Sequence, residues 1–391
     1  MGFFTNSLVK NITIGPNVKY ANNIANGLFY QCNNFNSPIS LPDGVTNVGW
    51  LVYACYNFNS PVTLPNSVTN MYVAFSQCNN FNQPIALPAM LNDFRSTFQA
   101  CVRLNQPMRI PQNVTSANQA FQNCYNFCSP VEFVNGASGI YMNNMFRNCW
   151  NFNAPVIFNR TITDMSNAFA NCNKFNQEIL MPHSASNMSN AFYGCRSLNS
   201  PVTIGSGAMN LCSAFAACDS LNSSVLIGSG ATNLSYAFQL CNNLRQISIG
   251  DTAPGTVASG TFARCNNLTS FNIPNGVTIA SSMFSFCNNI DGVTIPETVT
   301  NVYGMFTNAT MATNVTILAK ELTWANTRNM FLNCSNYVRH VVYVPAGSNT
   351  NTAIYNNGTG GLSRYTTTWV LDSDNNCYYS SGSWNVYVYW V

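Results

Sequence analysis

With 391 residues, a net charge of +3 and only 7% charged side chains, this chain has no electrostatic footprint for nucleic acid: its 15 Lys and Arg are scattered singly. Apolar residues make up 47%, enough for a core, and asparagine, about one residue in six, takes the surface role that charge usually fills. No run of 18 apolar residues exists to span a membrane, and the segment MGFFTNSLVKNITIG lacks the basic, apolar and small-residue parts of a signal peptide.

Taken in order, residues 1–25 hold one strand-like run, Ile12 and Ile14 before Pro16, and read as an atypical first coil that caps an array. From residue 26 to residue 345 one unit recurs. Residues 61–82, PVTLPNSVTNMYVAFSQCNNFN, show its parts: an alternating apolar pair, a polar turn, Ala74-Phe75, Cys78 and Phe81. Thirteen cysteines fall in one slot, from Cys32, Cys55 and Cys78 to Cys287 and Cys334, at a spacing of about 23 residues. Ala309 fills the slot once, with Phe306 keeping register. No C-x-x-C pair offers zinc-ribbon spacing, and cysteine in a repeated packing position behaves as a small buried hydrophobe, so the ladder is expected to be reduced. Cys128, Cys212 and Cys377 lie off it.

Apolar pairs such as Ile39/Leu41, Val62/Leu64, Ile85/Leu87, Met108/Ile110, Val131/Phe133 and Val202/Ile204 alternate with one intervening residue and predict short parallel strands with one face buried. The return limb, as in MSNAFANC at residues 165–172, has apolar residues at i, i+3, i+4 and i+7, which predicts a short α or 3₁₀ turn. Asn47, Asn70, Asp93, Asp164, Asn187, Asn210 and Asn233 stand where an N-cap would. The Asn-rich steps after each cysteine predict turns whose amides ladder onto neighbouring coils. Two units are longer, through residues 136–139 and through KELTWANTRN before Cys334, and extra residues in a solenoid loop out on one face, often the binding one. Residues 346–391 end in the alternating SGSWNVYVYWV and read as a small β cap or terminal module.

The unit, with Leu-Pro after the strand and Ala-Phe-x-x-Cys in the return limb, resembles the Treponema-type, BspA-like leucine-rich repeat. The likeness covers about 320 of 391 residues and departs from that repeat in using Phe-Asn or Leu-Asn for Leu-Thr and in its poverty of charge. It implies a parallel-sheet solenoid, short strand plus short helical return, and a role in binding or adhesion, since such repeats occur in bacterial surface adhesins and in bacteriophage virion proteins. It carries no catalytic residue.

Chemistry is equally sparse in the residues. His183 and His340 lie in distant units, Glu132, Asp164 and Glu178 do not occupy matching repeat positions, and Asp372 to Asn376 lacks the Gly and Glu of a calcium loop. No enzyme, cofactor or metal is expected, a carbohydrate-degrading enzyme being the least favoured of the readings. The candidate contacts are instead two surfaces. On the outer strand face the residue between the buried pair is polar in most coils (Ser40, Thr63, Arg109, Glu132, Thr203) but becomes Ile157, Leu180 and Leu226, a candidate interface with another copy or a fibre partner. At the carboxyl end Trp384 and Trp390 alternate with Tyr387 and Tyr389, the last two being candidate contacts for a partner or glycan. The charge-poor surface without an export signal points to a bacteriophage virion protein, a fibre or receptor-binding component located in the virion and assembled with other virion proteins or itself. The alternative is a BspA-like bacterial cell-surface adhesin, and both readings allow a host surface glycan or protein as partner.

Overall fold

The computed structural model describes residues 4–5, 25–136, 139–158, 161–181, 184–310, 314–334, 340–344, 369–371, 377–381 and 384–390. The strand expected around Ile12 and Ile14, His183, the turn expected at residues 372–376 and residues 345–368 lie outside them. The chain forms two units, Met1–Gln177 with Ser184–Ser197, and Glu178–His183 with Leu198–Val391. Each is a parallel-sheet solenoid with a turn of chain about every 23 residues.

In the first unit β1 (Ile39–Ser40) pairs with β2 (Val62–Thr63), and β3 (Met108–Ile110), β4 (Val131–Phe133) and β6 (Val156–Phe158) form a second parallel ladder. Between them Ile85–Leu87 is no strand, and its two apolar side chains are only half buried. A narrow second ladder joins Asn47, Asn70, Asp93, Ser116 and Tyr141, and is continued by β5 (Ile140–Tyr141) against β7 (Ile162–Asp164) with a register shift at Tyr141.

In the second unit β8 (Ile179–Met181), β9 (Val202–Ile204) and β10 (Val225–Ile227) lie in parallel register, and β11 (Thr256–Val257) pairs with β13 (Val277–Ile279). A seven-stranded sheet runs β12 (Phe271–Asn272), β14 (Val293–Ile295), β15 (Asn314–Ile317), β16 (His340–Val344), β19 (Trp384–Trp390), β18 (Cys377–Ser381), β17 (Trp369–Leu371). The first five are parallel and the last two return antiparallel. The terminal strands therefore extend the solenoid's own sheet by backbone pairing.

The return limb is not helical, contrary to its periodicity. Trp50 and Ala54, Val73 and Gln77, Ser96 and Ala100 carry φ between 50° and 64°, and the same two slots recur in later coils. A left-handed residue every fourth position breaks any continuous helix and makes a chain of turns. Every donor from 48 to 55 is nonetheless used. Val48, Trp50, Val52 and Ala54 donate to Asn70, Tyr72, Ala74 and Ser76 of the next coil, while Leu51, Tyr53 and Cys55 close turns onto Val48, Trp50 and Val52. Gly49 N–H meets Asn47 Oδ1 at 2.9 Å. The Asn/Asp slot thus caps as expected, through bonds to residue i+2, as Asn70, Asp164 and Asn233 repeat at 2.8–3.0 Å. The only α-helix among the described residues is α1 (Trp324–Thr327), inside the second lengthened unit.

Both sequence-derived ladders are present. Asn36, Asn59 and Asn82 each accept at 2.8 Å from the backbone N–H of residue i+23, and Asn199 does the same in the second unit. The slot cysteines are buried free thiols. They are also donors: Cys55, Cys101 and Cys172 Sγ reach the carbonyls of Phe29, Phe75 and Phe146 at 2.8–3.1 Å, the oxygen that also closes a turn in its own coil. Within the first unit Phe98, Phe121, Phe146, Phe169 and Phe192 stack at 5.1–5.8 Å between ring centroids, forming the spine of the core.

Candidate functional site

The strand-face candidates are exposed but not contiguous. Leu180 and Leu226 are 63% and 56% exposed, and both are in register with Thr203, which stands between them on β9. Two strand spacings, about 9.6 Å, separate their positions. Ile157, 52% exposed, belongs to the first unit and is in register with Glu132. If this face assembles copies of the chain, Leu180→Glu removes the assembly and leaves the coil folded; light scattering that gives a monomer mass for both proteins rejects it.

Tyr387 and Tyr389 lie on β19, an interior strand paired on both sides. Tyr387 is in register with Val341 and Tyr378, and Tyr389 with Tyr343. Through β16 and β15 these positions align with Asn314 and Thr316.

A site that sequence reasoning did not find sits on the narrow ladder of the first unit. A cleft of about 720 Å³ is lined by Thr69, Asn92 and Thr115, by Asp93 and Arg95, and by Met90 and Tyr141, with Asn113, Ser116 and Asn118 completing it. Thr69, Asn92 and Thr115 occupy one slot of three successive repeats, and Asp93, Ser116 and Tyr141 the slot beside it. Tyr141 stands eight residues before Cys149, as Asp93 and Ser116 stand before Cys101 and Cys124, so the lengthened unit puts a tyrosine in the slot where the two preceding coils carry Asp and Ser.

Arg95 is the fixed point of the cleft. Its Nε and a terminal nitrogen donate to the two Asp93 oxygens at 2.9 and 2.7 Å, and its guanidinium lies 5.0 Å from the Tyr72 ring centroid. Tyr72 meets Trp50 edge-on at 5.7 Å, Trp50 meets Tyr53 at 4.9 Å, and Tyr53 stacks on Tyr30 at 4.9 Å. Gln77 donates to the Tyr53 hydroxyl at 3.0 Å. The hydrogen bonds to Asp93 push the Arg95 pKa further up, so the guanidinium stays charged at any physiological pH. The pair is half exposed on the arginine side, and Met90 and Tyr141 are 56% and 50% exposed. Asn92 and Thr115 are exposed and make no side-chain hydrogen bond to any described residue.

The arrangement offers an ion pair, side-chain amides, hydroxyls, a thioether and a phenol ring as contact groups. Among the described residues no group of three His, Cys, Asp or Glu could hold a metal, and no helix is long and apolar enough to cross a membrane.

Comparison with known proteins agrees with the fold. A leucine-rich repeat protein from Bacteroides ovatus superposes with a TM-score of 0.55 at 19% identity, over 78% of this chain and 85% of that one. A leucine rich cell surface protein from Faecalibacterium prausnitzii aligns at 18% identity over 75% of this chain and 82% of that one, with a TM-score of 0.35. No functionally curated protein matches. Residues 92–205 and 140–224 match a family described as a Mycoplasma protein of unknown function. The BspA type leucine rich repeat region matches residues 1–128 and 212–338, in six copies. With that match extending over more than half of its length, the chain belongs to the BspA-type leucine-rich-repeat family.

Proposed function

We propose that this chain is a non-enzymatic recognition protein displayed on a bacterial cell surface, where its solenoid holds a partner through side chains presented by successive coils. BspA-type repeat proteins are typically bacterial surface proteins and typically not enzymes. The observation that carries the reading is the cleft in the first unit, where an arginine fixed by Asp93 and Tyr72 stands beside exposed Met90 and Tyr141 in a lining that holds no His, Cys or second carboxylate. The bacteriophage virion reading rests on the charge-poor surface, the amino-terminal segment and the occurrence of such repeats in virion proteins, and family membership favours the bacterial surface.

Antibody against the chain labels intact bacteria that carry its gene, and external protease removes the label. Deleting the gene lowers attachment to the surfaces those bacteria colonise, and restoring it recovers attachment. Label only after lysis, or the chain in purified phage particles at fixed copy number, rejects the reading.

A further inference from the structure

We infer that the cleft around Asp93, Arg95 and Tyr141 is a binding site for a neutral oligosaccharide. The inference rests on the recognition role just proposed and names the chemical class of its partner.

Charge is the first reason. Asp93 and Arg95 are the only ionisable pair lining the cleft, and each neutralises the other at 2.7 Å. A phosphate or an acidic glycan would meet one cation already bound to an anion. The same pair offers a donor and an acceptor side by side. A guanidinium has five N–H donors, of which the Asp93 contacts engage two, and the carboxylate keeps acceptor capacity at its rim. Adjacent hydroxyls of a sugar, each both donor and acceptor, match that edge. Because Tyr72 and Asp93 already fix the guanidinium, little side-chain entropy remains to be lost on binding.

The remaining lining fits the other features of a pyranose. Exposed Met90 and Tyr141 supply apolar and aromatic surface for its C–H face. Asn92 and Thr115, exposed and unbonded to described residues, are polar groups with capacity to spare. Thr69, Asn92 and Thr115 repeat along the axis at the strand spacing of about 4.8 Å, comparable to the advance of one residue in an extended sugar chain. At about 720 Å³ the cleft is within the range of small-ligand sites. An extended peptide is a poorer match, because strand addition needs an open edge and the ladder from Asn70 through Asp93 and Ser116 to Tyr141 is already paired.

The test uses the full chain against immobilised cello-, manno-, xylo- and malto-hexaose, with oligogalacturonate as the acidic probe. The parent retains at least one neutral hexaose and ignores oligogalacturonate. Arg95→Gln and Tyr141→Ala each weaken that binding about tenfold or more. The double variant Asn92→Ala, Thr115→Val alters only exposed side chains without hydrogen bonds to described residues, so its weaker binding at unchanged melting temperature guards against a folding artefact. Retention of none of the four neutral hexaoses, retention of oligogalacturonate alone, or parental binding by every variant overturns the inference. A chain that still attaches bacteria to their surface yet retains no neutral hexaose keeps the recognition role and loses the glycan, so the two failures are told apart.

Discussion

Raising the pH from 8 to about 10.5 unfolds this protein in one steep transition. Eleven slot thiols, from Cys55 to Cys334, have pKa values pushed above that of a free thiol, chiefly by burial. Cys55, Cys241, Cys287 and Cys334 are raised to about 12 by desolvation, and the bonds their thiols donate to backbone carbonyls of the preceding coil also favour the protonated form. A group held protonated more tightly in the folded chain than in the unfolded one stabilises the fold fully below the unfolded pKa, near 8.5, and that stability is lost as pH rises toward the folded value. Each such thiol loses about 1.4 kcal/mol per pH unit in that window, so eleven together lose on the order of 15 kcal/mol per unit, as much as a whole domain usually has. Far-UV circular dichroism against pH measures the midpoint, and the slope counts the protons released. Replacing Cys149, Cys172 and Cys195 by Ala lowers that slope by about three protons, a difference that removes the tyrosines both proteins share. Structure retained through pH 11, or equal slopes, contradicts it. At pH 7.5 a thiol reagent modifies exposed Cys128 and leaves the slot thiols unmodified until the chain is unfolded.

What the sequence reveals here is whatever recurs at a fixed slot. The cysteine ladder, the strands at Met108, Val131 and Val202, and the Asn36–Asn59–Asn82 ladder are all readable, because stacking turns one residue type at one repeat position into one row. The return limb misleads for a physical reason. Its i, i+3, i+4, i+7 burial is shared by a helix and by a chain of turns, and among the described coils its left-handed positions carry glycine only at Gly27, Gly194, Gly260 and Gly304 and elsewhere residues such as Trp50, Val73 and Gln119. Such residues pay of order 1–2 kcal/mol to adopt that conformation, and the neighbouring coil supplies the backbone bonds that hold them there.

The cleft is illegible for the opposite reason, since it depends on departures from the repeat. Asp93 and Arg95 stand two apart on a ribbon of turns, a spacing that brings charges together on no helix face. Tyr141 departs from the repeat in residue type, filling a slot that holds Asp93 and Ser116 in the two preceding coils. The lengthened unit was visible as a candidate binding loop; that it delivers a half-exposed tyrosine beside an ion pair follows from the fold alone. On the strand face the alternation correctly exposes Leu180 and Leu226, and Thr203, polar already in the sequence, stands between them and divides the patch.

Phe146→Ala is expected to destabilise the first unit by about 3–5 kcal/mol. Phe146 is fully buried and faces rings on four sides: Phe121 at 5.4 Å and 3°, Phe169 at 5.2 Å, Phe152 at 4.7 Å and Phe127 at 6.1 Å. Truncation opens a phenyl-sized void in a stack whose spacing is fixed by the backbone bonds between coils, so the site has little room to collapse. The chain itself provides the control. The second aromatic slot, Phe127, Phe152 and Phe175, is filled by Leu104 in the same unit and by Leu221 and Leu244 in the other, all fully buried or nearly so. The first slot is Phe in nearly every coil, with Val52 the exception among Phe29, Phe75, Phe98, Phe121, Phe146 and Phe169. Phe152→Leu should therefore cost under about 1.5 kcal/mol, a volume the repeat already accommodates. Urea titration followed by tryptophan fluorescence, with Trp50 and Trp150 in the first unit as reporters, measures both costs. Equal losses for the two variants, or less than about 1 kcal/mol for Phe146→Ala, would mean that the ring column fills space without holding the coils together.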